Sequence, residues 1–346
     1  MKAVLLCAGL GTRLRPLTDR WPKCAIPLLG QPLFRYNLAT LKLAGVTELG
    51  VNTHYLPEEM EQVAREECER AGVSLWTSRE DELQGTGGGL RGFKGLLREE
   101  PFVVLNGDVL FAVDLAPLFG AHVKAGRIAT MVLTPMPAGE KFAPVEVDAE
   151  GRVRRIAGRG PVGAALTPYH FASVQFLSPA IFDFMSPSGP EEIFTDVYAR
   201  MWAKGVDVHA TVVEGTYWSD LGTPVRYLNA AIDWISGGVP SVRFPGASPL
   251  LGKSEIAPGV WAAPGARCDV FPDGPAILDA GAVIESGAQI RGPVFLGRDT
   301  LVSSGATVER SVVFEGTRVA PGETLCATIA WGSHRLAVQG SGQPAR

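Results

Sequence analysis

The sequence has few cysteines and no pair of them in a metal-binding or redox spacing. An odd, scattered set of this kind argues against a disulfide framework, and reduced thiols in a cytoplasmic protein are the simplest interpretation. The five cysteines among the 346 residues are Cys7, Cys24, Cys68, Cys268 and Cys326. We therefore expect a cytoplasmic protein.

Long apolar runs and dense basic runs are also missing. No apolar stretch approaches the roughly 20 residues of a membrane-spanning helix, and the formal net charge is −4. These absences argue against a membrane or a nucleic acid as partner. An acidic chain that binds polyanions must concentrate positive charge locally or recruit a metal ion.

A glycine-rich stretch near the start follows a buried strand predicted over residues 3–6. Gly9 and Gly11 allow positive φ angles, so that several backbone N–H groups can point at one anion. Arg13 offers a forked donor for phosphate oxygens, and Lys23 adds a compact charge. The stretch lacks the Lys-Ser/Thr of a P-loop and the third glycine of the dinucleotide fingerprint. It indicates a site for a nucleotide polyphosphate.

The length of 346 residues exceeds what one hydrophobic core usually supports, so we expect two domains. Strands and helices alternate in the first part, with helices predicted over 32–44 and 58–71 and strands over 49–52 and 73–76. This order predicts an α/β fold with a mixed, mainly parallel sheet that helices cover on both faces. Ligands bind such sheets at the carboxyl ends of the strands, where the glycine-rich stretch lies.

A second glycine-rich segment spans residues 84–89, with the sequence Gln-Gly-Thr-Gly-Gly-Gly. One interpretation is a flexible loop before a helix. The other is a wall of backbone whose main-chain groups contact a nucleobase edge or its ribose, because no side chains stand in the way. Composition alone favours the loop slightly.

Two aspartates follow predicted strands. Asp108 ends the sequence Asn-Gly-Asp after the apolar strand at 102–105, and Asp220 lies in the sequence Trp-Ser-Asp-Leu-Gly-Thr-Pro at 218–224. Each could cap the next turn or helix. Each could also bind a metal ion, because a carboxylate in a phosphate site repels substrate unless a divalent cation bridges them. Trp218 is expected to pack, with ligand binding the less favoured alternative.

The C-terminal part of the sequence is a repeat in which apolar residues recur at every sixth position. It follows a Gly-, Pro- and Ser-rich segment at 236–250 that we interpret as a linker. A six-residue period fits neither a strand nor a helix, but fits a solenoid whose units are the flat sides of a triangular coil. We predict a hexapeptide β-helix over 251–333 and a disordered tail over 334–346. The apolar series comprises Leu278, Ile284, Ile290, Leu296, Val302 and Val308, then Val313, Val319 and Leu325, with weaker units at Ile256 and Ala262.

The motifs together resemble a known family. The string Gly-Leu-Gly-Thr-Arg-Leu-Arg-Pro-Leu-Thr at 9–18, with Pro22-Lys23 behind it, resembles the GxGTRLxPxT…PK signature of the sugar-1-phosphate nucleotidylyltransferases. The segments at 84–89, 106–108 and 218–224 and the hexapeptide repeat extend the likeness over nearly the whole chain. The resemblance implies a Rossmann-like nucleotide-diphospho-sugar transferase domain over 1–235, followed by a left-handed parallel β-helix.

The resemblance also implies roles for individual residues. The catalytic residues would be Arg13, Lys23, Asp108 and Asp220, and the two aspartates would bind Mg²⁺. Nucleotide contacts would come from Cys7, Ala8, Gly9, Gly11, Thr12, Arg13, Lys23, Gln84, Gly85, Thr86 and Gly87. Sugar-phosphate contacts are assigned to Asn106, Arg159 and Ser173. The family's Glu-Lys-Pro is absent at 157–161, which reads Ala-Gly-Arg-Gly-Pro. Arg159 is assigned as the cation that replaces it.

The implied reaction transfers a nucleoside monophosphate from an NTP to a sugar 1-phosphate, giving an NDP-sugar and pyrophosphate. The motifs favour GTP and mannose 1-phosphate. The alternatives are a UTP- or dTTP-dependent enzyme acting on an N-acetylmuramate or glucose phosphate, and a heptose 1-phosphate guanylyltransferase. A different class is a non-catalytic homologue that binds NDP-sugar and regulates a partner, although retention of all four catalytic residues argues against it.

The C-terminal coil has its own alternatives. Hexapeptide coils also occur in acyltransferases, whose base is usually a histidine. The only histidine in this part, His334, lies beyond the last repeat. We therefore expect a structural, oligomerising or regulatory module and a homo-oligomer formed through it.

Overall fold

A computed structural model describes residues 1–161 and 165–338. The chain divides into two compact units whose segments alternate along the sequence. The first unit contains Met1–Leu10, Arg20–Ala25 and Asn37–Trp218, and the second contains Gly11–Asp19, Ile26–Tyr36 and the described residues from Ser219 onward. The predicted boundary at residue 235 does not separate these units, because two N-terminal segments pack in the second one.

The strands and helices up to residue 235 are numbered in chain order. The strands are β1 Lys2–Leu6, β2 Pro27–Leu28, β3 Gln31–Pro32, β4 Glu48–Thr53, β5 Ser74–Arg79, β6 Phe102–Asn106, β7 Val109–Phe111, β8 Ala129–Thr134, β9 Val145–Val147, β10 Arg152–Ile156, β11 Thr167–Leu177, β12 Val208–Val212 and β13 Trp218–Asp220. The helices are α1 Leu33–Leu43, α2 Pro57–Ala71, α3 Gly85–Arg91, α4 Lys94–Leu97, α5 Leu115–Lys124, α6 Tyr198–Ala203 and α7 Pro224–Ile235. Short 3₁₀ turns lie at Thr12–Leu14, Leu17–Asp19, Lys23–Ala25 and Pro179–Phe184, and a π-helical turn lies at Ile193–Val197.

The first unit is built on a nine-stranded sheet of order β5-β4-β1-β6-β11-β8-β12-β10-β9. Strands β5, β4, β1 and β6 run parallel, as the alternation of strands and helices predicts. The other half is less parallel than predicted, because β11 pairs antiparallel with β6, β8 and β9. The sheet is therefore mixed.

Two predicted helices are confirmed nearly to the residue. Helix α1, Leu33–Leu43, lies within the predicted range of 32–44. Helix α2 begins one residue before the predicted range of 58–71, at Pro57, and ends at Ala71, after which Gly72 adopts φ +65°. A third helical segment begins as the π-helical turn at Ile193–Val197 and becomes α-helical only in α6.

The second unit carries the C-terminal strands. They are β14 Ser254–Ala257, β15 Val260–Ala262, β16 Arg267–Cys268, β17 Ala276–Leu278, β18 Val283–Ile284, β19 Gln289–Arg291, β20 Val294–Leu296, β21 Leu301–Val302, β22 Thr307–Glu309, β23 Val312–Val313, β24 Arg318–Val319, β25 Thr324–Cys326, β26 Thr328–Trp331 and β27 His334–Ala337. Successive strands fall in rotation into three sheets, β15-β17-β20-β23-β26, β16-β18-β21-β24 and β19-β22-β25, each parallel throughout. This arrangement is compatible with a three-sided coil.

The apolar series of the repeat forms the core of these sheets. All nine positions from Leu278 to Leu325 are buried in one hydrophobic cluster. The weaker unit at Ala262 joins them, whereas Ile256 on β14 is 43% exposed. Burial at a six-residue spacing agrees with the repeat predicted from the sequence.

Two segments that the sequence suggests are loose are ordered in part. In the predicted linker, Val239, Phe244 and Ala247 are buried, and Phe244 packs on Trp234 with ring centroids 5.2 Å apart. In the predicted tail, β27 pairs antiparallel with β26, because its backbone groups complete the edge of that sheet. Residues 339–346 lie outside the described residues.

None of the helices in the described ranges combines the length and apolar character that a membrane crossing requires.

Candidate active site

The loop after β1 leaves the sheet at its carboxyl edge. Cys7 and Ala8 are buried, and the N–H of Cys7 donates to Asn52 Oδ1 at 2.8 Å. Gly9 is exposed, and a Cβ added to it would meet nothing within 4 Å. The N–H of Cys7 is therefore engaged inside the protein, while Gly9 faces open space.

The continuation of the loop lies in the second unit. Gly11 adopts φ +62°, as predicted for a turn that exposes N–H groups, whereas Gly9 does not adopt a positive φ. The carbonyl of Gly11 accepts hydrogen bonds from Leu14 N–H and from the Thr18 hydroxyl, both at 2.9 Å. These two hydrogen bonds stabilise the 3₁₀ turn Thr12–Leu14, on which Arg13 is exposed. The turn thus presents a guanidinium to solvent.

Lys23 and Asp108 form an ion pair in the first unit. The Lys23 side chain is buried, and its ammonium donates to Asp108 Oδ2. Asp108 is partly exposed and follows β6, so the pair stands at the carboxyl end of a parallel strand. A lysine held in this way is a desolvated charge whose partner a phosphate oxygen can replace.

The turn before Asp108 is tightly packed. Asn37 Nδ2 donates to the carbonyl of Gly107 at 3.1 Å. A Cβ at Gly107 would lie 2.6 Å from Cys24 Sγ and 2.8 Å from Cys7 Sγ, which requires glycine here. Burial, with the hydrogen bond to Cys24, raises the pKa of the Cys7 thiol well above its usual range. The neutral Cys7 thiol therefore packs against the turn at Gly107.

Asp220 is held on both carboxylate oxygens within the second unit. Gly222 N–H donates to Oδ1 at 2.7 Å, and Arg226 Nη1 donates to Oδ2 at 2.5 Å. A Cβ at Gly222 would lie 3.0 Å from Arg13 Nη2, so the Arg13 guanidinium also approaches this turn. Asp220 does not cap α7, because the Thr223 hydroxyl accepts the N–H of Arg226 in that role. Asp220 therefore closes the turn at Gly222, and the interpretation that it caps the following helix is wrong.

The second glycine segment is a helix and not a loop. Gly85–Arg91 form α3, and the N–H groups of Gly87 and Gly88 donate to the carbonyl of Glu191 at 2.8 and 3.1 Å. Thr86 N–H and hydroxyl both donate to Glu192 Oε2, at 3.2 and 2.6 Å. These backbone groups are occupied by the segment around Glu191, so they do not form the open wall that the sequence suggests.

The three predicted sugar-phosphate residues do not form one group. Ser173 and Asn106 are the residues next to Val174 and Leu105, which pair at the end of the antiparallel β11–β6 ladder. The structure therefore brings these two residues together. Ser173 is buried with φ +67°, at a bulge between β11 and β8. Arg159 instead lines a cavity of about 330 Å³ with Phe194, Thr195 and Trp202, among other residues, and neither Asn106 nor Ser173 lines it within the described ranges.

Trp218 packs, as expected. Its Nε1 donates to the carbonyl of Ala172 at 3.2 Å. Its ring meets His170 edge-on with centroids 4.3 Å apart, and Phe142 covers His170 from another side at 4.2 Å. The indole therefore supports the bulged strand beside Ser173.

Sequence reasoning missed four polar residues around these groups. Asn52 lies near the carboxyl end of β4 and Glu80 directly follows β5, while Glu192 and Arg226 bond to the predicted residues Thr86 and Asp220. The first two could have been found by the rule already applied to the glycine loop, since polar residues at the carboxyl ends of parallel strands are candidates for a ligand site. The other two carry no local signal.

The donor chemistry of the aspartates fits magnesium. No cluster of three or more His, Cys, Asp or Glu residues able to hold a metal ion occurs between residues 1 and 161 or 165 and 338. Mg²⁺ is usually bound by one or two carboxylates together with waters and substrate phosphates. Asp108 in the first unit and Asp220 in the second each offer one carboxylate of this kind, and each is paired with a cation, Lys23 or Arg226.

Comparison with known proteins assigns the chain to a family. A family model described as "Nucleotidyl transferase" matches residues 2–236. The chain belongs to the nucleotidyl transferase family. This nucleotidyl transferase is 31% identical over 320 residues to the mannose-1-phosphate guanylyltransferase of Mycobacterium tuberculosis, covering 92% of this chain and 81% of that one.

A second relative of this nucleotidyl transferase is the UTP–glucose-1-phosphate uridylyltransferase of Synechocystis, 29% identical over 351 residues, or 96% of this chain and 88% of that one. Among solved structures, HddC from Yersinia pseudotuberculosis has a TM-score of 0.55 at 20% identity, over 66% of this chain and 97% of that one. At that identity the likeness shows a shared fold. The sugar-1-phosphate nucleotidylyltransferase family predicted from the motifs is confirmed.

Proposed function

We propose that the enzyme joins a sugar 1-phosphate to the nucleoside monophosphate of an NTP, releasing pyrophosphate, and that its preferred pair is GTP and mannose 1-phosphate. The ion pair of buried Lys23 with Asp108 at the end of β6 carries the proposal. It places a phosphate-binding cation and a metal-binding carboxylate side by side, and phosphoryl-type transfer needs both.

The attacking group needs no base from the protein. A sugar phosphate is largely a dianion near neutral pH, since its second pKa is about 6. One of its oxygens attacks the α-phosphorus, and the bond from that phosphorus to the bridging oxygen of the β-phosphate breaks. The protein must align the reactants in line and neutralise the charge of the departing pyrophosphate.

The chain's own cations and N–H groups are assigned to that task. The N–H groups from Gly9 to Arg13 and the Arg13 side chain bind the β- and γ-phosphates. Lys23 exchanges Asp108 for an α-phosphate oxygen. Asp108 and Asp220 are the proposed ligands of Mg²⁺, which when bound would supply charge neutralisation between the nucleotide and the sugar phosphate.

The sugar-phosphate side of the site is assigned to the bulge on β11. Asn106 offers an amide at the end of β6, the strand that leads to Asp108, and Ser173 offers a hydroxyl on the neighbouring strand β11. Arg159 belongs to a different cavity, which weakens its assignment as the substitute for the missing Glu-Lys-Pro.

The choice of GTP and mannose 1-phosphate is supported by the relatives' names. Several relatives at 26–31% identity are named mannose-1-phosphate guanylyltransferases, including the one from Schizosaccharomyces pombe. The Synechocystis relative, at 29% identity, is named for UTP and glucose 1-phosphate. UTP with glucose 1-phosphate is therefore the second candidate pair.

A substrate panel tests the proposal. Each of GTP, UTP, dTTP and ATP is combined with mannose, glucose, N-acetylmuramate and heptose 1-phosphates, and pyrophosphate release is measured with Mg²⁺. We expect the highest kcat/KM for GTP with mannose 1-phosphate, and no release without a sugar phosphate. A higher value for another pair would overturn the choice of substrates. Tight NDP-sugar binding without turnover of any pair would overturn the catalytic assignment.

We further propose that the three C-terminal sheets form a left-handed hexapeptide β-helix through which the enzyme self-associates. The parallel pairing and the buried six-residue series support a coil of this type. Light scattering of the purified chain should give a mass above the monomer's 36.8 kDa. A monomer across micromolar concentrations would contradict the self-association.

A further inference from the structure

A chain of hydrogen bonds between buried polar groups runs from the loop after β1 to the start of α3. Cys7 N–H donates to Asn52 Oδ1 at 2.8 Å, and Asn52 Nδ2 donates to Glu80 Oε1 at 2.7 Å. Glu80 Oε2 then accepts the N–H of Gln84 at 2.8 Å. Three bonds and two side chains therefore connect residues that lie 77 positions apart in the sequence.

Both side chains in this chain of bonds are fixed in place. Asn52 is 3% exposed and Glu80 is 7% exposed. Their position is set further by Gly89, where an added Cβ would lie 2.6 Å from Asn52 Nδ2 and 2.8 Å from Glu80 Oε1. His54 Nδ1 lies 2.8 Å from the Glu80 carbonyl, which anchors the main chain as well.

Buried polar side chains commonly form hydrogen bonds simply because they are buried. This series of bonds differs in what its two ends contact. Each end is a backbone N–H group of a segment assigned to the nucleotide, the phosphate loop at Cys7 and the glycine helix at Gln84. A displacement of either segment pulls on Asn52 or Glu80, and the hydrogen bond between these two side chains passes the displacement to the other segment. Because Asn52 uses its amide as acceptor on one side and donor on the other, it cannot turn over without breaking both bonds.

We propose that Asn52 and Glu80 are positioning residues that couple the phosphate-binding loop to the base-binding segment, so that the two contact one nucleotide as a rigid pair. The inference rests on the proposed nucleotide site, and it deepens that site by adding two residues that touch no substrate. Contact of the base at the start of α3, at Gln84 and Gly85, then holds Cys7 and the following Gly9 in the geometry that the phosphates require.

The donor pattern supplies a rescue test. In Asn52→Asp, the carboxylate still accepts from Cys7 but faces the carboxylate of Glu80. In Glu80→Gln, one side-chain oxygen becomes an NH₂ group, which must face either the Asn52 amide or the N–H of Gln84. In the double variant, Gln at 80 donates to Asp at 52 and accepts from Gln84, so every bond is restored with its direction reversed between the two side chains.

We therefore measure the Kd of a fluorescent GTP analogue and the KM values for NTP and sugar 1-phosphate. Each single variant should raise the Kd and KM for NTP about tenfold and leave the KM for sugar 1-phosphate within about twofold. The double variant should return the NTP values to within about threefold of the wild type. Thermal unfolding identifies any variant that fails to fold.

A matched control is present on the outer face of α2, where Gln62 Nε2 donates to exposed Glu66 at 3.0 Å. The same exchange there, Gln62→Glu with Glu66→Gln, should change none of these values. The coupling is overturned if folded single variants bind NTP as the wild type does, if both KM values rise together, or if the double variant is no better than the singles. Loss of turnover in the wild type with every substrate pair would reject the proposed function separately, because nucleotide binding is measured without turnover.

Discussion

Single residues in this enzyme carry charge that is balanced inside the protein before any substrate arrives. Lys23 balances Asp108, and Arg226 balances Asp220. In the proposed mechanism, the substrate phosphates and Mg²⁺ therefore replace existing ion pairs and do not enter a site of unpaired charge. Such an exchange costs less than creating a new buried pair, because the side chains are already desolvated and in place.

Substitution of Asp108 tests the metal assignment. Asp108→Asn removes the carboxylate charge while keeping the shape of the side chain, so turnover should fall more than 100-fold, equal to at least about 2.7 kcal/mol of lost transition-state stabilisation. Pyrophosphate release at saturating Mg²⁺ measures it, with circular dichroism to verify the fold.

Asp114 provides the control for this substitution. Its carboxylate caps α5 by accepting the N–H of Ala116 at 3.3 Å, and asparagine caps a helix about as well. Asp114→Asn should keep wild-type turnover. Near wild-type pyrophosphate release by Asp108→Asn would show that its carboxylate does not bind the catalytic metal.

Local sequence motifs identified the charged residues but not their supports. Asp108 and Lys23 stand in recognisable motifs, whereas Asn52 and Glu80 are single polar residues at the carboxyl ends of strands. Their roles depend on hydrogen bonds to Cys7 and Gln84, which only the folded sheet creates. The ion pair of Asp220 with Arg226 is equally invisible, because an Asp and an Arg six positions apart occur in many contexts.

Among the elements, α3 departs most from what its composition suggests. Glycine is among the poorest helix formers, so a Gly-Thr-Gly-Gly-Gly sequence predicts a loop. The carbonyl of Glu191 stabilises the helix by accepting two of its N–H groups. The close approach of Asn52 and Glu80 requires glycine at position 89. Long-range packing overrides the local preference here, whereas α1 and α2 follow their sequence signals.

Alanine substitutions in neighbouring helices should therefore have opposite effects on stability. Gly89→Ala forces Asn52 and Glu80 to move and should lower the free energy of unfolding by about 1–3 kcal/mol. Gly95→Ala on α4, where a Cβ would meet nothing within 4 Å, should raise it by up to about 1 kcal/mol. Urea unfolding of both variants measures this difference. Equal effects from the two substitutions would refute the close packing around Gly89.

Helix α5 gives the first unit a dependence on pH. His122 is buried against β8, with Nδ1 2.9 Å from Thr130 Oγ1, and burial lowers the pKa of His122 to about 4. An unfolded histidine has a pKa of about 6.5. The unfolded state therefore takes up the proton first as the pH falls, and the free energy of unfolding should decline between pH 6.5 and 4 and then level off for this group.

The variant His122→Leu isolates that contribution. It should lose less stability than the wild type between pH 6.5 and 4, as measured by urea unfolding at a series of pH values. His334→Leu, which changes an exposed histidine, serves as the control and should follow the wild type. Parallel curves for His122→Leu and the wild type would contradict the buried neutral imidazole.

At the scale of the whole molecule, the second unit joins N-terminal segments to the C-terminal part of the chain. Tyr36 packs edge-on against Trp234 with centroids 5.0 Å apart, and Gln31 Nε2 donates to the carbonyl of Ser248 at 3.3 Å. At Gly30, with φ +80°, an added Cβ would lie 2.5 Å from Asp279 Oδ2. The repeat and its buried series were predictable from periodicity, but contacts between residues about 200 positions apart leave no periodic trace in a single sequence.

Truncation tests these contacts between the N-terminal segments and the C-terminal part of the second unit. A chain ending at residue 236, where the family match ends, loses the partners of Gly30, Gln31 and part of those of Tyr36. We expect it to unfold at a lower temperature than the full chain and to bind NTP more weakly, because Gly11–Asp19 belong to the same unit as the missing residues. A chain ending at residue 338 is the control and should match the full chain. Equal Tm and NTP affinity for all three would mean that the C-terminal strands do not support the phosphate loop.

The position of Gly11–Asp19 and Ile26–Tyr36 also bears on synthesis of the chain. These segments pack with residues from Ser219 onward, so about 180 residues must be translated before their partners exist. At about 5–20 residues per second, that takes roughly 10–40 s. For that time Leu28, Leu29 and Phe34, which are buried in the finished enzyme, lack their final neighbours on the ribosome. The nascent chain is therefore open to aggregation at Ile26–Tyr36 until the residues from Ser219 onward have been made.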